Sequence, residues 1–232
     1  MRRIIVINAK GGCGKTTIAV NLATRYAARG YLTALFDYDP LGAGQQWLQR
    51  RDSEAPAVVT VGAADRAATA TRAWQLRVPP ETQRIVVDTP ASVQIHEILD
   101  QLRTADAVLV PVLPSPVDIR ATADFIRDLL LIGKVRHHRT RIGIVANRLR
   151  RNTRALGDLE RFLDALDIPV VTRLRDSQRY LHAAERGLGV HEMTGRGAYG
   201  DRLAWDAVID WLEQRETDSL ARAFTDRLRA PS

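Results

Sequence analysis

Ten residues near the amino terminus, Asn8-Ala9-Lys10-Gly11-Gly12-Cys13-Gly14-Lys15-Thr16-Thr17, restrict this 232-residue chain more than any other stretch. They follow the apolar run Ile4-Ile5-Val6-Ile7 and precede Ile18, Leu22 and Tyr26 at helical spacing, so the order is strand, glycine loop, helix. Glycines let backbone N–H groups converge on phosphate oxygens with no Cβ in the way, and the following helix adds the positive end of its dipole. In such a loop Lys15 reaches the β- and γ-phosphates and the Thr16 hydroxyl binds Mg²⁺, with Gly11, Gly12, Cys13, Gly14 and Thr17 completing the cradle. The spacing departs from the usual pattern: Asn8 or Lys10 stands where the first glycine is expected, and Lys10 is an extra lysine.

Two further stretches supply carboxylates. A strand expected over Leu32–Phe36 ends in Asp37-Tyr38-Asp39-Pro40, and in open parallel sheets ligands bind at that end of the strands. Two carboxylates on a proline-pinned turn suit a Mg²⁺-bound nucleotide, one orienting the metal's waters and the other the attacking water. A second apolar run, Arg84-Ile85-Val86-Val87-Asp88, ends in an aspartate placed to bind a water of the Mg²⁺ shell. The metal set read from the sequence is therefore Thr16, Asp37 and Asp88.

The variant Lys-Gly-Gly-x-Gly-Lys-Thr-Thr resembles the deviant phosphate loop of the ParA/MinD ATPases. The resemblance runs from Ile4 to about Glu192. It implies a doubly wound, mostly parallel α/β P-loop ATPase fold, with ATP and Mg²⁺ as ligands. By resemblance Lys10 reaches across an ATP-dependent homodimer to the partner's nucleotide, and Asp39, 24 residues beyond Lys15, positions the attacking water. Lys10, Lys15 and Asp39 are thus the expected catalytic set. Leu41 stands where many relatives carry glutamine. Thr89-Pro90-Ala91 resembles the second switch, and Leu113-Pro114-Ser115-Pro116-Val117-Asp118 resembles a stretch near the base and dimer seam that favours the small ParA branch. The same resemblance puts Asn147, at the end of a strand expected over Arg141–Ala146, beside the adenine.

A net charge of +7, nearly all of it from arginine, favours a polyanionic partner, since arginine pairs with phosphate bidentately and stays ionised. Two clusters stand out: Arg148, Arg150, Arg151 and Arg154, then Arg173, Arg175 and Arg179 after a short strand at Val170-Val171. Family members bind duplex DNA without sequence preference through basic residues of this half, which makes these seven arginines the candidate DNA surface. The resemblance further implies slow hydrolysis stimulated by a cargo-adaptor protein. The cargo would be a plasmid, a chromosome region or a protein organelle such as a carboxysome, moved over the nucleoid in a prokaryotic cytoplasm.

One cysteine allows no internal disulfide and no paired-cysteine metal site, which argues against a cluster-bearing reductase on this scaffold. No run approaches the roughly 20 apolar residues needed to span a bilayer, and Met1-Arg2-Arg3 leads directly into a strand rather than a signal peptide. Residues 1–216 read as one ATPase domain and 217–232 as a helical tail, with Leu220, Phe224 and Leu228 at four-residue spacing. MinD relatives end in a membrane-targeting helix, so the competing reading is a membrane-surface ATPase of division-site placement. The thin apolar face of this tail and its Asp226 favour packing instead. Helices are expected over Lys15–Arg29, residues 63–76, Ile119–Ile132 and Asp201–Arg215, the last turning Leu203, Val208, Trp211 and Leu212 inward.

Overall fold

Short runs rich in Val and Ile, each bounded by polar or turn residues, are what strands buried on both faces look like in sequence. In the computed structural model, which describes residues 1–62, 78–133, 140–151 and 153–214, they form seven strands. These are β1 (Arg2–Val6), β2 (Thr33–Asp37), β3 (Val58–Val61), β4 (Arg84–Asp88), β5 (Ala107–Val112), β6 (Arg141–Leu149) and β7 (Val170–Arg175). They build one sheet in the order β3-β2-β4-β1-β5-β6-β7, with every pairing parallel. β1 lies between β4 and β5, where the winding changes direction, so the loop after it opens into the crevice that such sheets offer to ligands.

The period-2 alternation of the strands feeds two cores. Ile5, Val87 and Ile144 face one way, against Leu102 of α3 (Leu99–Arg103), Phe125 and Leu129 of α4 (Pro116–Leu131) and Leu159 of α5 (Arg154–Asp164). Ile4, Val6 and Val86 face the other, against Ile18 and Leu22 of α1 (Lys15–Ala28), Trp47 of α2 (Ala43–Gln49), Ala183 of α6 (Arg179–Glu185) and Trp205 of α7 (Ala198–Glu213). Helices on both faces complete the α/β/α sandwich.

Several expected boundaries move. α4 starts three residues earlier than Ile119, because Ser115 caps it and Pro116 tolerates the first helical position. β7 is six residues rather than two, so Arg173 and Arg175 lie on the strand and not after it. α7 starts at Ala198, three residues earlier than expected; Val208 and Leu212 are buried as expected and Trp211 is half-buried under the Arg141 guanidinium, but Leu203 is 51% exposed and Trp205 is fully buried. The helix expected over 63–76 and the tail 217–232 lie outside the described residues.

At the amino ends of the strands α7 is tied down by its last residues. The Glu213 carboxylate accepts from Arg84 Nε and Nη2 (3.0 and 2.8 Å) and from the Tyr26 hydroxyl (2.8 Å). Arg2 donates to the Leu212 carbonyl, and Arg141 to the Gln214 carbonyl at 3.0 Å. Three guanidinium groups thus meet the negative end of one helix.

Candidate nucleotide site

The loop between β1 and α1 has the form its glycines allow. Gly12 and Gly14 sit at φ 76° and 96°, the left-handed region that glycine enters without strain. Gly14 caps α1 without any side-chain acceptor, and the first turn holds no acidic residue. The leading N–H groups of a 14-residue helix are therefore left to a ligand, under the positive end of its dipole. Counting back from Gly14 over four intervening residues puts Ala9, between Asn8 and Lys10, at the place of the missing glycine, and Asn8 fixes the loop's entry. Fully buried, its Nδ2 donates to the Pro111 carbonyl (2.8 Å) and the Thr122 hydroxyl (3.0 Å), and its Oδ1 accepts the Lys10 N–H (3.0 Å).

Lys15 is buried and bends back over the loop, its Nζ donating to the Lys10 carbonyl at 3.1 Å. Cys13 Sγ donates to the same carbonyl at 3.2 Å, and burial pushes its thiol upward, away from the thiolate a redox role needs. Lys10 itself is half-buried at the rim.

Three aspartates stand around this loop with unequal surroundings. Asp88, at the carboxyl end of β4, is fully buried, and neither of its oxygens has a hydrogen-bond partner. Burial pushes its carboxyl up to about 7; Asp37 and Asp39 push the same way, while the Thr16 hydroxyl and Lys15 pull it down. A buried carboxylate that the neighbouring Thr16 hydroxyl and Lys15 approach without completing a well-formed hydrogen bond is a socket for a hydrated cation. The residues present thus fit Mg²⁺.

Asp37, opposite Asp88 in the strand register, is equally buried but engaged. It accepts the N–H groups of Asp39 (3.2 Å) and Gln45 (3.0 Å), the latter in the opening turn of α2, and burial raises its pKa. A helix-capping task is thus added to the metal-shell role expected from the sequence. Asp39 is half-buried, and one oxygen closes its own turn by accepting the Leu41 N–H at 3.0 Å. Its second oxygen is left for other work. The switch-like turn after β4 leans on the loop: Ser92 donates its N–H to the Ala9 carbonyl at 2.9 Å, and Ser92 itself is left-handed, at φ 60°.

Asn147 lies at the end of β6 against the loop, and both ends of its amide are in use. Nδ2 donates to the Cys13 carbonyl (2.9 Å) and Oδ1 accepts the Arg148 N–H (2.9 Å). A Cβ on Gly14 would come within 2.3 Å of that Nδ2, which is why glycine is required there. Each end of the amide keeps one further hydrogen-bonding position, and Asn147 lines a cavity of about 280 Å³ that begins at Thr17.

The seven arginines divide. Arg148, Arg151 and Arg154 are exposed and have no acidic partner among the described residues, whereas Arg150 pairs with Asp176 at 2.6 Å and Arg173 with Glu160 at 3.4 Å. Arg175 and Arg179 both bind Asp201, which is 3% exposed, at 2.9 and 2.6 Å, and Arg179 also donates to the carbonyls of Thr194 and Arg196. The Arg179 guanidinium is turned inward as a structural staple, which takes it off the expected DNA surface. Arg175 is held from one side. Sequence reading missed Asp201 because its partners lie more than twenty residues away, and gave Asn8 no anchoring task because Pro111 and Thr122 lie more than a hundred residues away.

A glycine loop after the first strand, an uncapped helix amino terminus and an unpartnered aspartate on the adjacent strand define a P-loop nucleotide-binding protein. Residues 4–190 match the CobQ/CobB/MinD/ParA nucleotide binding domain, and the chain belongs to that family. It is 30% identical over 196 residues to the maintenance of carboxysome distribution protein A of Halothiobacillus neapolitanus, covering 84% of this chain and 88% of that one. Among solved structures, a Cyanothece McdA variant in complex with ATP superposes with a TM-score of 0.71 at 16% identity, over 93% of this chain and 97% of the other. MinD of Pyrococcus horikoshii with Mg-ADP gives 0.63 at 18% identity, over 92% and 96%. At such identities these two speak for the fold. No helix among the described residues is long and apolar enough to cross a membrane.

Proposed function

We propose that this protein is a ParA-type ATPase that binds Mg-ATP, pairs with a second copy, holds non-specific duplex DNA and positions a cargo over the nucleoid. The observation that carries the nucleotide reading is the orphaned Asp88 carboxylate beside an uncapped α1. When bound, Mg²⁺ would screen the β- and γ-phosphates and polarise their oxygens. Thr16 and Asp88 would hold it, with Asp37 paired opposite Asp88 in the strand register. The loop N–H groups and Lys15 bind the phosphates, for which Lys15 leaves the Lys10 carbonyl, and the free oxygen of Asp39 orients the attacking water.

Lys10, at the rim, is the residue that would complete the partner's site. Arg151 and Arg154 form the DNA surface, with Arg150 and Arg173 added when they leave Asp176 and Glu160. An adaptor protein would stimulate hydrolysis and release the DNA. The named role of the Halothiobacillus relative, carboxysome distribution, favours a protein-shelled organelle as the cargo.

Phosphate release and DNA retention, measured together on the full chain, test this reading. Asp39→Ala should bind ATP and stay on DNA while hydrolysis falls at least about a hundredfold, the scale expected when a water-orienting group is lost. Undiminished hydrolysis removes Asp39 from that role.

A further inference from the structure

Arg148 has a backbone conformation that a surface cation has no need of. At φ 54° it is one of two non-glycine residues with positive φ among the described residues, the other being Ser92 beside the loop. Arginine gains nothing from that region, unlike asparagine or glycine, and residues kept there mark sites that require the direction it gives. A guanidinium meant for a DNA phosphate could be presented from any backbone.

What holds the conformation also fixes its register. Asn147 accepts the Arg148 N–H with one end of its amide and grips the Cys13 carbonyl of the phosphate loop with the other, so Arg148 is placed relative to the loop by one intervening side chain. From there it lines two cavities, of about 280 and 410 Å³, one on each side of the end of β6. The smaller runs from Thr17, in the first turn of α1, to Ser177, Tyr180 and Leu181. It begins where the phosphate cradle ends, and its wall of aromatic, aliphatic and hydroxyl groups suits a base and ribose better than a further phosphate. Its other arginine, Arg175, is tied to Asp201, and its aspartate, Asp176, is tied to Arg150. Arg148 is the cation of this cavity that has no carboxylate.

We propose that Arg148 is a nucleoside-binding residue, its guanidinium closing over the base and ribose of the bound nucleotide, and not part of the DNA surface. This rests on the nucleotide reading given above. A planar guanidinium covers a purine face through cation–π and stacking contact, which lysine cannot reproduce.

Calorimetric titration of the full chain with Mg-ATP and, separately, with Mg-tripolyphosphate tests it. Arg148→Ala should weaken ATP binding about tenfold and leave tripolyphosphate unchanged. Arg148→Gly should show the same loss with a urea midpoint at or above wild type, because glycine accepts the left-handed backbone freely. DNA affinity at saturating ATP should hold in both variants and fall in Arg151→Ala. Unchanged ATP affinity in the two Arg148 variants overturns the proposal, as does an equal loss for both ligands, which would mean a phosphate contact. Loss of DNA binding alone returns Arg148 to the DNA surface and also overturns it. A wild-type chain that binds no Mg-ATP would instead sink the nucleotide reading itself.

Discussion

Replacing Asp88 by asparagine should stabilise the ligand-free protein while disabling it. The carboxyl is fully buried without a hydrogen-bond partner, and its pKa stands at about 7 against an ordinary 3.8. A carboxyl raised on folding favours the folded state fully below the unfolded pKa, and that advantage disappears as pH rises through the folded value. The difference corresponds to about 4 kcal/mol, most of it lost between pH 4 and pH 7.5. Asparagine does not titrate, but its buried amide has no acceptor waiting, at a cost of about 1–2 kcal/mol. The variant is therefore expected to be more stable than wild type by about 2 kcal/mol at pH 8 and less stable near pH 4.5. Urea unfolding in EDTA at both pH values reads this directly. Parallel profiles for the two proteins would show that the Asp88 carboxylate is not desolvated as described. In the same variant, Mg²⁺ should no longer tighten ATP binding, so the gain in stability and the loss of function come from one atom pair.

Removal of Glu213 by Glu213→Ala should cost about 2–3 kcal/mol in urea unfolding, because it strands the buried Tyr26 hydroxyl and a guanidinium only 11% exposed; a change under about 0.5 kcal/mol would contradict this. Asn8→Ala removes three buried hydrogen bonds at the entry to the loop. It should lower stability by about 2–4 kcal/mol and increase amide hydrogen exchange at Lys10 and Gly11, and unaltered exchange there would deny Asn8 its anchoring task.

Local pattern made half of this protein legible in advance. The loop, its two flanking elements and the aspartates at the ends of β2 and β4 all follow from residues adjacent in sequence, whose glycine content or apolar runs admit few structures. β7 was harder to read: as an edge strand it buries Thr172 and Leu174 and turns Arg173 and Arg175 outward, so its alternation looked like a basic surface segment. α5 and α6 were hidden in the same way, inside clusters of arginine. The pairing of Arg175 and Arg179 with Asp201, and the double use of the Asn147 amide, are tertiary facts that no spacing reveals. Sequence told which residue types gather at the carboxyl ends of the strands. Only the packing told which of them already have an occupation.

The clasp of Arg2, Arg84 and Arg141 around the last turn of α7 has a practical corollary. It grips the starting ends of strands whose far ends carry the glycine loop and Asp88, and a five-residue strand separates the two by about 13 Å or more. Residue 214, where the described chain stops, lies at the pole of the molecule opposite its chemistry. A fluorophore or tether attached there can therefore follow the protein through its cycle without touching the pocket.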